Sequence, residues 1–233
     1  MQVRHDGTVN TTTRRGRPRK GDARLTREAI LTAALEVVDA DGAAAVSMRT
    51  VAQRLGVDAK SLYHHIDGKE GLLDAVAGHV LGGIGLPELT GQPEEDLRAI
   101  AQSFRKAARA HPQAAALVLT RQLPSVAALA PVEAVLSVLR KAGASPEEAV
   151  HLLRSLLAVV VGSLLREAGA GPAFGVTDED GIARRRAELE QAGLPAVVES
   201  APHLARCDHE AEFAFAVDLA VAATMERLAT PRR

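Results

Sequence analysis

Two short capped segments, S-M-R-T-V-A-Q-R-L from Ser47 and D-A-K-S-L from Asp58, are joined by Gly56-Val57 alone. That spacing constrains the chain more than any other feature. Ser47 and Asp58 carry the short oxygen-bearing side chains that accept from the first N–H groups of a helix. Glycine admits the backbone that ends a helix and turns it sharply. Two helices this close form a helix-turn-helix, whose second helix enters the major groove of DNA. Leu62 is the one strongly apolar residue in mid-helix, and Ile66 follows it four residues later. Both pin the helix to a core and leave Lys60, Ser61, Tyr63, His64 and His65 outward. A helix this polar is marginal alone, so a core must hold it.

The flanking sequence supplies that core. Thr26 is an N-cap, with Leu25 and Ile30 spaced as a hydrophobic staple. Ile30, Ala33, Ala34, Val37 and Val38 form one apolar face, and Gly42 ends the helix. Val51, Ala52 and Leu55 form the buried face of the second helix. A third helix is expected from Ala59 to about His65. Asp67 and Glu70 then read as a capping box for a fourth, running through Leu72, Leu73, Val76, Val80 and Leu81. Beyond the Gly- and Pro-rich stretch 82–93, helices are expected near 94–110, 113–122, 130–142, 146–168 and 208–228. The segment 169–203 is rich in Gly, Pro and acidic residues, with one short charged helix near 182–191. No segment sustains strand alternation, so the fold is all-α: an N-terminal three-helix helix-turn-helix domain and a larger C-terminal helical domain.

Composition bounds what such a fold can do. Of 233 residues, 47% are hydrophobic and only 2% aromatic, so the core is aliphatic. The single cysteine, Cys207, excludes an internal disulfide and fits a reducing cytoplasm. Residues 1–22 are polar, unlike a signal peptide. The longest uncharged apolar stretch, Ser155–Leu165, has 11 residues, whereas a membrane span needs about 20. A soluble cytoplasmic protein that does not meet a membrane is expected. The net charge of −1 hides an asymmetry: residues 1–71 carry 12 basic and 9 acidic side chains, and the remainder 16 and 20. Residues 1–24 hold seven of those basic groups and lack periodicity, so they read as a disordered basic arm suited to a polyanion.

Adjacent histidines do not make a metal site here. Consecutive helical residues point about 100° apart, so His64 and His65 do not readily share an ion. His203, Cys207 and His209 have closer to ligand spacing but lie at a loop-to-helix junction without a second Cys/His pair. No nucleophile–base set of an enzyme is recognisable, and no metal or cofactor is expected.

The stretch L-T-R-E-A-I-L through S-M-R-T-V-A-Q-R-L-G-V, S-L-Y-H-H and Lys69 resembles the N-terminal domain of the tetracycline-repressor (TetR) family of bacterial transcription regulators. S-F-R-K-A-A-R-A-H-P at 103–112, L-T-R-Q-L-P at 119–124 and E-F-A-F-A-V-D-L-A-V-A-A-T-M-E-R-L at 212–228 resemble its C-terminal domain. The resemblance implies a division into the arm (1–24), a DNA-binding domain (25–71, helix-turn-helix about 47–66) and an effector-binding and dimerisation domain (72–233). It implies that Arg49 reaches a base edge and that Lys60 and Ser61 face bases or phosphates. Tyr63, His64 and His65 would contact the backbone, and Lys69 with its helix N-terminus would clamp a phosphate. The arm around Arg17 and Arg19 resembles an A·T-hook lying in a minor groove.

For the larger domain, sparse polar residues on apolar helices suggest a small-molecule site, among them Gln122, His151 and Ser155. Phe104 and Arg121 match ligand-contacting positions of the tetracycline repressor. The family's metal-coordinating histidine positions fall at Leu117 and near Gly85, so magnesium–tetracycline does not fit, and a bulky, largely apolar effector is expected. Helices 146–168 and 208–228, apolar around much of their circumference, are expected to pair with a second copy as a homodimer. The expected function is a repressor that binds a palindromic double-stranded operator and is released by an effector. A regulator without an effector, an activator, and more remotely a metal-dependent enzyme remain open.

Overall fold

The computed structural model describes residues 25–120, 129–169 and 175–230. Among them lie eleven α-helices and no strand: α1 (Arg27–Asp41), α2 (Met48–Leu55), α3 (Ala59–Leu62), α4 (Gly68–Gly82), α5 (Pro93–Ala110), α6 (Pro112–Thr120), α7 (Ala130–Lys141), α8 (Pro146–Glu167), α9 (Glu179–Glu190), α10 (Pro195–Leu204) and α11 (His209–Ala229). The basic arm with Arg17 and Arg19, and the expected effector contacts Arg121 and Gln122, lie outside the described residues.

Two buried clusters organise these helices. The first gathers Ile30, Ala34, Val37 and Val38 of α1, Val51 and Ala52 of α2, Leu62 of α3, and Leu72, Leu73 and Val76 of α4. Ala114 and Leu117 of α6 complete it from the far side of the sequence. The second joins Leu97, Ile100 and Ala101 of α5, Val138 and Leu139 of α7, Val160 and Leu164 of α8, and Phe213, Val217 and Val221 of α11. α8 packs along α11 and against α7, while α5 lies against α6, α7, α8 and α11. α9 and α10 pack on each other as a hairpin, whose base is closed by a single bridge between Val176 and Arg206.

Several local expectations are corrected. The third helix ends at Leu62 rather than near His65, and residues 63–65 continue as turn. Asp67 stands at the N-cap of α4 but makes no side-chain capping bond, so the Asp67–Glu70 capping box does not form. Its ψ of 81° departs from the extended geometry of Ser47 and Asp58, and Gly68 follows at φ +66°. The segment read as mostly loop carries α10 as well as α9. Pro195 begins α10 where a missing N–H leaves no bond unmade, and Pro202 falls in its last turn.

Candidate nucleic-acid interface and ligand cleft

The start of α2 is locked from both sides. Thr50 N–H donates to Ser47 Oγ at 3.0 Å, and Ser47 N–H donates to Thr50 Oγ1 at 2.9 Å. The Thr50 hydroxyl also donates to the Ala45 carbonyl at 3.0 Å, tying the helix to the 3-10 turn Ala43–Ala45 before it. Thr50 was not legible as a capping partner because a glutamate or glutamine usually fills that place. Arg49 stands exposed within this locked turn. At the other end Gly56 takes φ +67° and donates to Gln53, a left-handed cap that suits glycine. The chain re-enters helix at once, with Asp58 Oδ1 accepting from Lys60 N–H at 2.7 Å.

From there burial decides orientation. Leu62 is wholly buried and Ile66 nearly so. The Ile66 and His65 N–H groups both donate to the Leu62 carbonyl. Tyr63 is 56% exposed, His64, His65 and Lys60 are exposed, and Ser61 is half-buried. Lys69 reaches back from α4, its Nζ donating to the Ala44 carbonyl at 3.1 Å. That bond holds the α4 start beside the turn that precedes α2. Arg49, Lys60, Tyr63, His64, His65 and Lys69 are thus carried on three consecutive helix starts and the turn between two of them. Arg54, by contrast, is engaged with Glu36 of α1 at 2.7 Å.

A cleft lies in the larger cluster, bounded by α4, α5, α6, α7, α8 and α11 and enclosing about 1010 Å³, part of it open to solvent. Phe104 lines it. His151 and Ser155 do not line it: both lie on the exposed face of α8, where the Ser155 hydroxyl donates to the His151 carbonyl. The lining comes instead from apolar residues at helical spacing, including Leu153, Leu156, Leu157 and Val160 of α8 and Val132 and Val135 of α7. Near the other end of this region Cys207 Sγ lies 3.5 Å from His209 Nδ1, and burial raises the thiol above its ordinary pKa. Among the described residues no group of three His, Cys, Asp or Glu could hold a metal ion.

The two sites share one helix. On α6, Ala114 and Leu117 belong to the first cluster, while Val118 lines the cleft. Just before α6, His111 Nδ1 meets Asp39 Oδ2 of α1 at 2.7 Å.

The profile of bacterial regulatory proteins of the tetR family matches residues 30–76. That of the tetracyclin repressor-like C-terminal domain matches residues 86–225. The chain belongs to the tetracycline-repressor family. An HTH-type transcriptional regulator of Saccharopolyspora erythraea is 36% identical over 144 residues, 61% of each chain. The class D tetracycline repressor protein of Escherichia coli is 39% identical over 88 residues, 36% of this chain and 40% of that one. The chain therefore spans less than two thirds of either family member's length. The Streptomyces coelicolor TetR family protein ActR, in complex with actinorhodin, superposes with a TM-score of 0.77 at 26% identity. That superposition covers 89% of this chain and all of ActR.

Proposed function

We propose that this chain is a non-enzymatic, cytoplasmic transcriptional repressor that binds a palindromic DNA operator as a homodimer and is released by a small molecule. The observation that carries the proposal is α6, which places Ala114 and Leu117 in the core behind the recognition helix and Val118 in the cleft. A molecule that fits the cleft in only one position of α6 favours the conformer with α6 in that position. The DNA-binding core must then follow, because α6 is part of it. ActR, crystallised with a small molecule, supports an effector on the same fold.

The domain division is proposed as residues 1–24, 25–71 and 72–233, with Arg49, Lys60, Ser61, Tyr63, His64, His65 and Lys69 facing the operator. Arg17 and Arg19 are proposed to add a minor-groove contact. Dimerisation is supported by the outer faces of α8 and α11; on α11, Phe215 and Leu219 are 69% and 62% exposed. By length and composition α8 would also serve as a membrane span. Its inner face packs against α7 and α11, and a second copy covers its outer face without a bilayer. Two recognition helices related by a two-fold then meet successive major grooves.

Selection of genomic fragments by the purified protein tests the core of this reading. An enriched palindrome is expected, and enrichment of no palindrome would overturn it.

A further inference from the structure

The described walls of the cleft are chemically uniform. Every described side chain lining it is apolar, and Phe104 is its one aromatic residue. The polar groups that this region buries are engaged elsewhere. Asp96 accepts from the Thr90 backbone, the Thr90 hydroxyl and the Gly91 backbone. Arg105 makes a two-pronged bond to Glu167 at 2.9 and 3.0 Å and lies over the Phe213 ring. The Thr224 hydroxyl donates to the carbonyl of Ala220, a lining residue. Mid-helix backbone groups along the α5, α8 and α11 walls are paired within their own helices. A ligand hydroxyl, amide or carboxylate pressed against these walls gives up water and finds no partner. Most small-molecule sites include a few polar groups that fix orientation. The described side chains supply none.

We infer that the cleft takes an uncharged, hydrogen-bond-poor molecule, seated by shape and apolar contact alone. This rests on the effector reading above for its regulatory meaning but not for its chemistry. The volume of about 1010 Å³ sets an upper bound on size. Different skeletons of similar shape compete for the site, because no described side chain offers a bond that selects one orientation over another.

Two fluorescent probes with one frame test this on the full-length protein: neutral N-phenyl-1-naphthylamine and its sulfonated counterpart, 8-anilino-1-naphthalenesulfonate. Saturable binding of the neutral probe is expected, with the sulfonate weaker by roughly tenfold or more. Ala220→Phe and Val132→Phe each fill the cleft and should remove neutral-probe binding, circular dichroism confirming which variant is folded. Equal or tighter binding of the sulfonate at a site that the folded variants also lose would overturn the inference. So would the absence of saturable neutral-probe binding. Operator binding followed by anisotropy in the same titration separates the two proposals. A bound neutral probe that leaves the operator in place supports the ligand class and shows that this probe does not discriminate between the two conformers.

Discussion

The region of α1–α4 and the region of α5, α7, α8 and α11 draw on the same aliphatic residues, but they place polarity in opposite directions. Around α3 the core is filled and the polar groups point out: Leu62 and Ile66 go in, while Lys60, Tyr63, His64, His65 and Lys69 stay in water. In the larger region the charged side chains Asp96 and Arg105 are buried among their own partners, and the apolar residues face a cleft and an outer surface. A surface of the first kind selects by charge and hydrogen bonding, and salt weakens it. One of the second kind selects by area and shape. On the proposed function, the two recognition problems are separated in chemistry as well as in space.

The largest expected effects test whether that separation is also energetic. Phe213 is 1% exposed at the centre of the larger cluster, and Phe213→Ala should cost about 4 kcal/mol. Leu62→Ala, beneath the recognition surface, should cost about 3 kcal/mol. Urea unfolding measures both. Leu62→Ala should lose operator binding while keeping the neutral probe, and Phe213→Ala should do the reverse more than it harms the operator site. Parallel loss of both functions in both variants would mean that the regions unfold as one unit.

Surface substitutions should move binding and leave folding nearly untouched. Tyr63→Ala and Lys69→Ala should weaken operator and random DNA alike, each by roughly tenfold, with Lys69→Ala reducing the salt slope by about 1. Arg49→Ala should also blur sequence preference, by about 1–3 kcal/mol at one base pair. Competition gel shifts against single-base operator variants measure this. A uniform loss for Arg49→Ala would assign it to the backbone instead.

Much of the DNA-binding half was legible because its determinants are local. Thr26, Ser47 and Asp58 each bond an N–H group two or three residues on, and such bonds are written in adjacent sequence. Asp67 shows the limit. It has the right side chain, but its backbone leaves the extended region and no bond forms. The cleft was less legible for a different reason. α8 is apolar around much of its circumference, so its stripes toward the cleft and toward a second copy cannot be told apart by periodicity. Polar His151 and Ser155 were expected in the cleft, yet the face they occupy is exposed. α10 was missed because prolines at its first position and last turn imitate loop composition.

Acid should act on the larger region through Asp96. Burial raises the Asp96 carboxyl, but the bonds from Thr90 and Gly91, helped by Lys141, outweigh it and hold the pKa below the ordinary aspartate value. A depressed folded pKa means that the unfolded chain binds the proton more readily as pH falls. The stabilisation is therefore complete above the ordinary aspartate value and is lost as pH drops through the folded one. Thermal melts of Asp96→Asn should show a lower Tm at neutral pH and a shallower loss as pH falls below about 5. Parallel pH curves for the variant and the parent would remove Asp96 from the acid response.

A modest stability effect is expected between the regions. His111 Nδ1 holds Asp39 Oδ2 at 2.7 Å, while Asp39 Oδ1 is buried without a hydrogen-bond partner. An Asp39 left half-satisfied depends on His111 to keep the end of α1 against the start of α6. His111→Ala should cost only about 1 kcal/mol, yet it loosens the joint through which the cleft and the operator site constrain each other. Coupling between two sites is reciprocal, so the operator should weaken probe binding by the same factor by which the probe weakens operator binding. In His111→Ala that factor should move toward one, with probe affinity in the absence of DNA unchanged. Probe titrations with and without operator DNA give the factor directly. If stability falls and the factor stays at its parental value, the pair is only a clamp. Communication then runs through the packing of Ala114 and Leu117 alone.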